Sequence, residues 1–299
     1  MKTTAKQFYS IILTILVVLI ILTAFIAPQK ILSNEFSNKT YQQNFEELEK
    51  KYEAHLGVYG IDTGTNKKIY FNENDRFAFA STYKALAGGL VLRNYSWEQL
   101  NTNVMINTED IVEYSPITEK YIGVGLPLKD MISAAVDYSD NTAGNFLFKH
   151  LKGPKGYQEE LKKIGDSVTD SSRYETDLNE STPGDIRDTS APKVIAKDLK
   201  EIALGDQLPK DKQKFYKKLL IENTTGTNLI AAGVPNNVTV GDKSGAAQYG
   251  TRNDIAILYP KNREPIILVV FSDKSEKNTQ YQDRLISEAA KIASNFFKL

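Results

Sequence analysis

Strand-forming sequence occurs only toward the two ends of this chain, and the long stretch between them reads as helix. That order restricts the fold more than any other feature. Near the start, Leu56-Gly57-Val58-Tyr59-Gly60-Ile61-Asp62 alternates in part. Thr63-Gly64-Thr65-Asn66 is turn-rich, and Lys68-Ile69-Tyr70-Phe71 can return as a second strand. Near the end, Lys243 to Tyr249 and Asp254 to Tyr259 read as strands. Pro265-Ile266-Ile267-Leu268-Val269-Val270-Phe271 is the strongest strand signal in the chain. Phe45, Leu48 and Tyr52 lie at helical spacing, and Tyr281 to Phe297 closes the chain with another helix. Helices are predicted in between over 81–94, 128–136, 142–151, 157–164, 192–204 and 212–222. The order helix, two strands, helical middle, strands, helix predicts an antiparallel sheet assembled from both chain ends and flanked by helices. The fold class is α/β, an α+β sandwich, with sheet from 43–75 and 223–299 and a helical part over about 76–222.

The 299 residues suffice to bury a full core, as one large domain or two joined halves. Basic and acidic residues balance at 37 each, so no general basic field supports nucleic-acid binding. The charged run Lys210-Asp211-Lys212-Gln213-Lys214 reads as a solvated helical face. Cysteine is absent, which removes disulfides, thiol nucleophiles, cysteine metal sites and a lipidated N-terminal cysteine. His55 and His150 are the only histidines and belong to no ligand cluster, so neither a metal nor another cofactor is expected. Lys2 and Lys6 precede an apolar run from Ile11 to Ala27, the pattern of an export segment. A cleaved signal peptide and an uncleaved signal-anchor both fit 1–27, followed by a polar tether over 28–42. Either places the rest of the chain outside the cytoplasm, or on the outer face of the membrane.

Ser81 and Lys84 stand one helical turn apart behind Phe77-Ala78-Phe79-Ala80. A serine hydroxyl is a feeble nucleophile, and a lysine whose charge is suppressed can take or relay its proton. A helix start also leaves backbone N–H groups free to face an oxyanion. Three further segments follow in order: Ser139-Asp140-Asn141, Arg173-Tyr174-Glu175-Thr176-Asp177-Leu178-Asn179 and Lys243-Ser244-Gly245. Taken alone, Ser-Asp-Asn is equally a good turn or helix cap. Glu175 is a carboxylate able to activate water, and Asn179 lies four positions on, so one turn would aim both at the same water. Both fall in a stretch from Ser171 to Ala191 that contains Pro183-Gly184, lacks apolar periodicity and reads as a long functional loop.

This motif set resembles the class A serine beta-lactamases, with Ser244 where their third motif has threonine. The likeness runs from about Asn44 to Leu299. The segments Asp110 to Ile117 and Val240 to Gly245 suggest the penicillinase type of Gram-positive bacteria. The resemblance implies a catalytic domain over 43–299 that acts as a monomer on small beta-lactams. It implies that Ser81 is acylated with Lys84 as base or relay, and that Ser139 passes a proton to the lactam nitrogen, poised by Lys243. Asn141 would bond the substrate amide and Lys84, while Glu175 and Asn179 hold the deacylating water. Lys243, Ser244 and Arg252 would bind the substrate carboxylate. The N–H groups of Ser81 and Ala246 would form the oxyanion hole, Tyr114 would line the mouth, and Arg173 with Asp188 would clasp the loop, as a bidentate pair. Asp140 would brace its loop. Two other readings stand beside hydrolysis: a D-alanyl-D-alanine peptidase or penicillin-binding protein, against which Glu175 and Asn179 argue, and a non-hydrolytic beta-lactam sensor.

Overall fold

A computed structural model describes residues 39–299; the expected export segment over 1–27 and most of the tether lie outside the described residues. The first helix among the described residues, α1, spans Tyr41–Tyr52 and begins ahead of the apolar spacing that announced it. Its start is fixed by a reciprocal cap. Thr40 Oγ1 accepts from the Gln43 N–H at 3.3 Å, and Gln43 Oε1 accepts from the Thr40 N–H at 2.9 Å.

Five strands form an antiparallel sheet: β1 (His55–Asp62), β2 (Lys68–Phe71), β3 (Thr239–Ala246), β4 (Arg252–Tyr259) and β5 (Ile266–Asp273). Their spatial order is β2-β1-β5-β4-β3, so the two chain ends meet where β1 pairs with β5 along its full length. The fold class is thus the α/β sandwich expected from the order of elements. Within the sheet, the largest boundary difference is in the third strand. Sequence reading starts the third strand at Lys243, whereas β3 starts at Thr239, paired with Tyr259, and ends at Ala246. Gly241 and Asp242 disguise its first half because both are poor strand formers.

The sheet is covered on both faces, and alternation along β5 divides the core. Ile267, Val269 and Phe271 join the cluster that contains Leu86 and Leu90 of α2 (Tyr83–Asn94), and Ile195 and Leu199 of α6 (Pro192–Leu204). Leu268 faces the other way: a Cβ on Gly60 would touch both Leu268 and Phe297 of the closing helix, α8 (Asp283–Phe297). The helical middle also contains α3 (Leu128–Asp137), α4 (Asn141–His150), α5 (Gly153–Lys163) and α7 (Lys210–Glu222).

Helix α2 is the axis of this middle part, with every residue from Tyr83 to Leu92 buried. It packs without space for side chains at its glycines; a Cβ on Gly89 would fall 2.3 Å from Ile202 Cγ2. The run around Lys212 departs from the solvated face expected of it. Lys210, Asp211 and Lys214 are exposed, but Lys212 is buried, and its ammonium donates to the carbonyls of Leu92 and Tyr95 at the end of α2. A cation there satisfies carbonyls that the helix leaves open.

Candidate active site

The chain enters α2 through a 3-10 turn, Ala80–Thr82, with Ala80 in the left-handed region at φ 47°. This turn lies against the edge strand β3. A Cβ on Gly245 would be 3.1 Å from the Phe79 carbonyl oxygen and 3.2 Å from the Ser81 nitrogen, so glycine lets strand and turn close on each other. A cleft of about 720 Å³ opens there. Ser81, Tyr114, Ser139, Asn141, Asn179, Ser244, Ala246 and Arg252 all line it.

Lys84 is buried directly beneath the cleft. Its Nζ lies 2.9 Å from Ser81 Oγ, 2.9 Å from the Ser139 carbonyl oxygen, 2.5 Å from Asn141 Oδ1 and 2.9 Å from Glu175 Oε1. An ammonium carries three hydrogens, so four oxygens around it outnumber its protons. Burial lowers the Lys84 pKa, and the Glu175 carboxylate opposes that effect. Burial thus favours the neutral amine, which would turn a lone pair to Ser81.

Lys243 is equally buried, in the middle of β3. It donates to Ser139 Oγ at 3.0 Å and to the Ser244 carbonyl at 2.8 Å. Burial, with the neighbouring Lys84 charge, pushes its pKa down to about 7. The positive charge of Lys243 thus adjoins both the Ser139 hydroxyl and the anion-facing wall of the cleft. Arg252 stands on that wall. Its Nε is 2.7 Å from Asp283 Oδ1 and its guanidinium lies 4.7 Å from the centre of the Tyr281 ring.

The turn between α3 and α4 presents Ser139 with φ 59°. Asp140 caps α4 by accepting from the Ala143 N–H at 2.8 Å. It also accepts from the N–H groups of Ile117 and Thr118, at 3.0 and 2.9 Å, and so braces the loop that carries Tyr114. Asn141 begins α4, and its Nδ2 donates to the Glu113 carbonyl at 2.8 Å. One turn on, Asn145 clamps Glu175 from both sides: its Oδ1 accepts from the Glu175 N–H at 2.8 Å and its Nδ2 donates to the Glu175 carbonyl at 3.0 Å. Sequence reading missed Asn145. Its spacing of four from Asn141, on the same helix face, was the available signal.

Glu175 and Asn179 converge as expected, with Asn179 Nδ2 donating to Glu175 Oε2 at 2.6 Å. They are brought together by a cis Glu175–Thr176 bond and a 3-10 turn, Asp177–Asn179, instead of one α-helical turn. Arg173 and Asp188 do close the loop, through Nε to Oδ2 at 2.5 Å, but not as the expected bidentate pair. Asp188 uses its other oxygen to accept from the N–H groups of Ser172 and Arg173, at 2.8 and 3.0 Å, and Arg173 Nη1 turns to Glu180. Geometry explains the split. Two main-chain donors already occupy one edge of the Asp188 carboxylate. The histidines lie apart from this constellation. His55 contacts Asp75 and Asp273, and the Phe146 carbonyl lies 2.8 Å from His150 Nδ1.

A serine touched by a buried lysine, a second hydroxyl on a second buried lysine, and a clamped carboxylate above them can carry out acyl transfer followed by hydrolysis. Comparison with known families decides the assignment. A family model described as the beta-lactamase enzyme family matches residues 40–297. This chain belongs to the class A beta-lactamases. It is 50% identical to beta-lactamase 1 of Bacillus cereus over 266 residues, which covers 89% of this chain and 87% of that protein. It is 51% identical to a beta-lactamase of Bacillus subtilis (strain 168) over 256 residues, covering 86% and 84%. Among solved structures, the class A beta-lactamase from Clostridium kluyveri DSM 555 superposes with a TM-score of 0.85 at 45% identity, covering 87% of this chain and 99% of that one. A halotolerant bacterial beta-lactamase superposes with a TM-score of 0.84 at 46% identity, covering 86% and 99%.

The clasp of this family member yields a direct expectation. Asp188→Ala leaves two main-chain donors without an acceptor and Arg173 with only the exposed Glu180, which costs about 1–3 kcal/mol. Chemical denaturation should report that loss, and amide exchange over 173–188 should accelerate. Wild-type stability and exchange in the variant would reject the clasp.

Proposed function

We propose that this chain hydrolyses the amide bond of penicillin-type beta-lactams through an acyl-enzyme on Ser81. The observation that carries the proposal is the position of Lys84 Nζ, 2.9 Å from both Ser81 Oγ and Glu175 Oε1. Once Lys84 yields a proton to Glu175, its lone pair accepts the Ser81 proton as Oγ attacks the lactam carbonyl. The N–H groups of Ser81 and Ala246 stabilise the resulting oxyanion. Ser139 gives its proton to the departing nitrogen and is reprotonated by the proton that Lys84 took from Ser81, while Lys243, bonded to Ser139 Oγ, steadies the transient alkoxide. Lys243, Ser244 and Arg252 hold the substrate carboxylate. Asn141 takes the side-chain amide while keeping Lys84 in place, and Tyr114 packs at the mouth. Glu175, aimed by Asn179 and Asn145, returns its borrowed proton to Lys84 across the 2.9 Å contact and, as a carboxylate again, activates the water that cleaves the ester.

The same proposal extends to location. Lys2 and Lys6 ahead of the apolar run Ile11 to Ala27 support export of the catalytic domain, either released or held at the outer face of the membrane.

Ser81→Ala should lower turnover of a chromogenic cephalosporin by about three orders of magnitude or more. Glu175→Ala should accumulate a covalent adduct on Ser81, visible as a mass shift of the intact protein. Undiminished turnover by the Glu175 variant would sink the water site. A single stable adduct on the wild-type protein would point to a penicillin-binding protein or sensor.

Lys243 loses its charge as pH rises through about 7 in the free protein. Because kcat/KM reports the free enzyme, it should fall over that window for substrates bearing a carboxylate. Lys243→Arg should move the fall to higher pH, and an unchanged alkaline limb in that variant would exclude Lys243 as its origin.

Mass analysis of the mature amino terminus addresses location. A start between residues 25 and 42 means cleavage, and an intact terminus in the membrane fraction means an anchor. Active protein wholly in the cytoplasm with its terminus intact would overturn export.

A further inference from the structure

Behind the anion-facing wall, two carboxylates lie together in the interior. Asp242 on β3 and Asp254 on β4 are both buried, and the strand register sets Asp254 opposite Ser244, diagonal to Asp242. Burial raises both pKa values, that of Asp254 furthest. Asp254 Oδ2 accepts from the Ile230 N–H at 3.0 Å, while its Oδ1 has no donor. Asp242 is the member of the pair that accepts from the loop after α7. The loop after α7 fits tightly over it; a Cβ on Gly226 would fall 1.5 Å from Asp242 Oδ2.

Asp242 sets the direction of a hydrogen-bond chain that ends in the cleft. Asn223 Nδ2 donates to Asp242 Oδ2 at 3.1 Å. An amide turned that way presents its oxygen on the other side, where Asn223 Oδ1 accepts from the Thr225 N–H at 3.1 Å and from Thr225 Oγ1 at 2.9 Å. The single hydroxyl hydrogen of Thr225 is thereby engaged. Its Oγ1 meets Ser244 Oγ, 2.7 Å away, as an acceptor. Thr225 and Ser244 both line the cleft.

We propose that Thr225 is a positioning residue for Ser244, and that this pair of hydroxyls reverses its direction when an anionic group enters the cleft. In the free protein the hydrogens run inward, from Ser244 to Thr225 to Asn223. A carboxylate at Ser244 is the stronger acceptor and draws the Ser244 hydrogen outward. Thr225 then turns its hydrogen onto Ser244 Oγ, and Asn223 Oδ1 keeps the Thr225 N–H. The two hydroxyls become an aligned donor chain, each polarising the next. Asp242 prevents the Asn223 amide from flipping, because a flipped amide would set its oxygen against a carboxylate.

This inference rests on the proposed carboxylate site at Lys243, Ser244 and Arg252. The test compares a penicillin with the same compound blocked as its methyl ester, on wild type, Thr225→Val, Thr225→Ser, Ser244→Ala and the Thr225→Val/Ser244→Ala double variant. Thr225→Val should raise KM for the free acid about threefold to tenfold, the worth of one hydrogen bond, with kcat nearly unchanged. The ester should show no such change, Thr225→Ser should recover most of the loss, and Thr225→Val should add nothing on top of Ser244→Ala. A wild type that treats acid and ester alike would remove the carboxylate site, and this inference with it. A wild type that discriminates, with a Thr225→Val loss that is absent, equal for the ester or undiminished beside Ser244→Ala, would overturn the role of Thr225 alone. Thermal melts of the same proteins identify a general loss of fold.

Discussion

The buried ammonium of Lys84 is the contact on which the site depends. A charge taken out of water is tolerated only with partners close at hand. Here those partners come from separate parts of the chain: Ser81 from the turn before α2, Ser139 and Asn141 from the start of α4, and Glu175 from the long loop. Each element that carries an oxygen to Lys84 is thus fixed relative to the others. Satisfaction of one charge assembles nucleophile, proton donor and carboxylate in a single step. The same burial that makes the partners necessary also lowers the lysine pKa, so the structural requirement and the chemical one have one origin.

Around that contact the backbone departs from its easy conformations. Ala80, Tyr114, Ser139 and Asp188 all have positive φ without being glycine. Such residues cost about 1–3 kcal/mol each and persist where their surroundings over-determine them. The surroundings here can be named. Asp140 ties the Ser139 turn to the Tyr114 loop, Asp188 accepts from two main-chain N–H groups, and the Phe79 N–H donates to the Asp188 carbonyl at 3.1 Å. Catalytic groups occupy strained turns, and buried carboxylates hold those turns in place.

The division between α/β sheet and helical middle serves the cleft directly. Edge strand β3 contributes Lys243, Ser244 and Ala246 from one side, while the turn before α2 contributes Ser81, α2 contributes Lys84 and α4 contributes Asn141 from the other. Gly245 is what lets the two halves approach. Arg252 belongs to the sheet by its backbone, yet its guanidinium is positioned by Tyr281 and Asp283 at the approach to α8. The anion-facing wall therefore needs the C-terminal helix as well as the strands.

Much of this was legible in the sequence. The long strand signals fall toward the two ends and predicted one sheet built from both; the two-residue ladders within the middle, Phe77–Ala78 with Thr189–Ser190 and Asn103–Val104 with Leu126–Pro127, are too short to leave a sequence signal. Ser81 with Lys84 reported its chemistry through a spacing of one helical turn, and the resemblance supplied the rest of the constellation from Ser139 to Arg252. These are local signals, carried by residues near one another along the chain. What the sequence hid was decided between segments distant from one another. Lys212 looked like any surface lysine until α7 placed it on the open carbonyls of α2. Asn145, Thr225, Glu180 and Asp283 look ordinary in the sequence, and each gained its role from a carboxylate, hydroxyl, guanidinium or main-chain group that tertiary packing brought within hydrogen-bond reach. The cis bond after Glu175 gave no warning, since Thr176 is not proline. Spacing along one element records which side chains share a face. It holds no record of which distant polar group will be buried opposite them, and that was fixed only when the two chain ends closed around the helical middle and removed water from the partners between them.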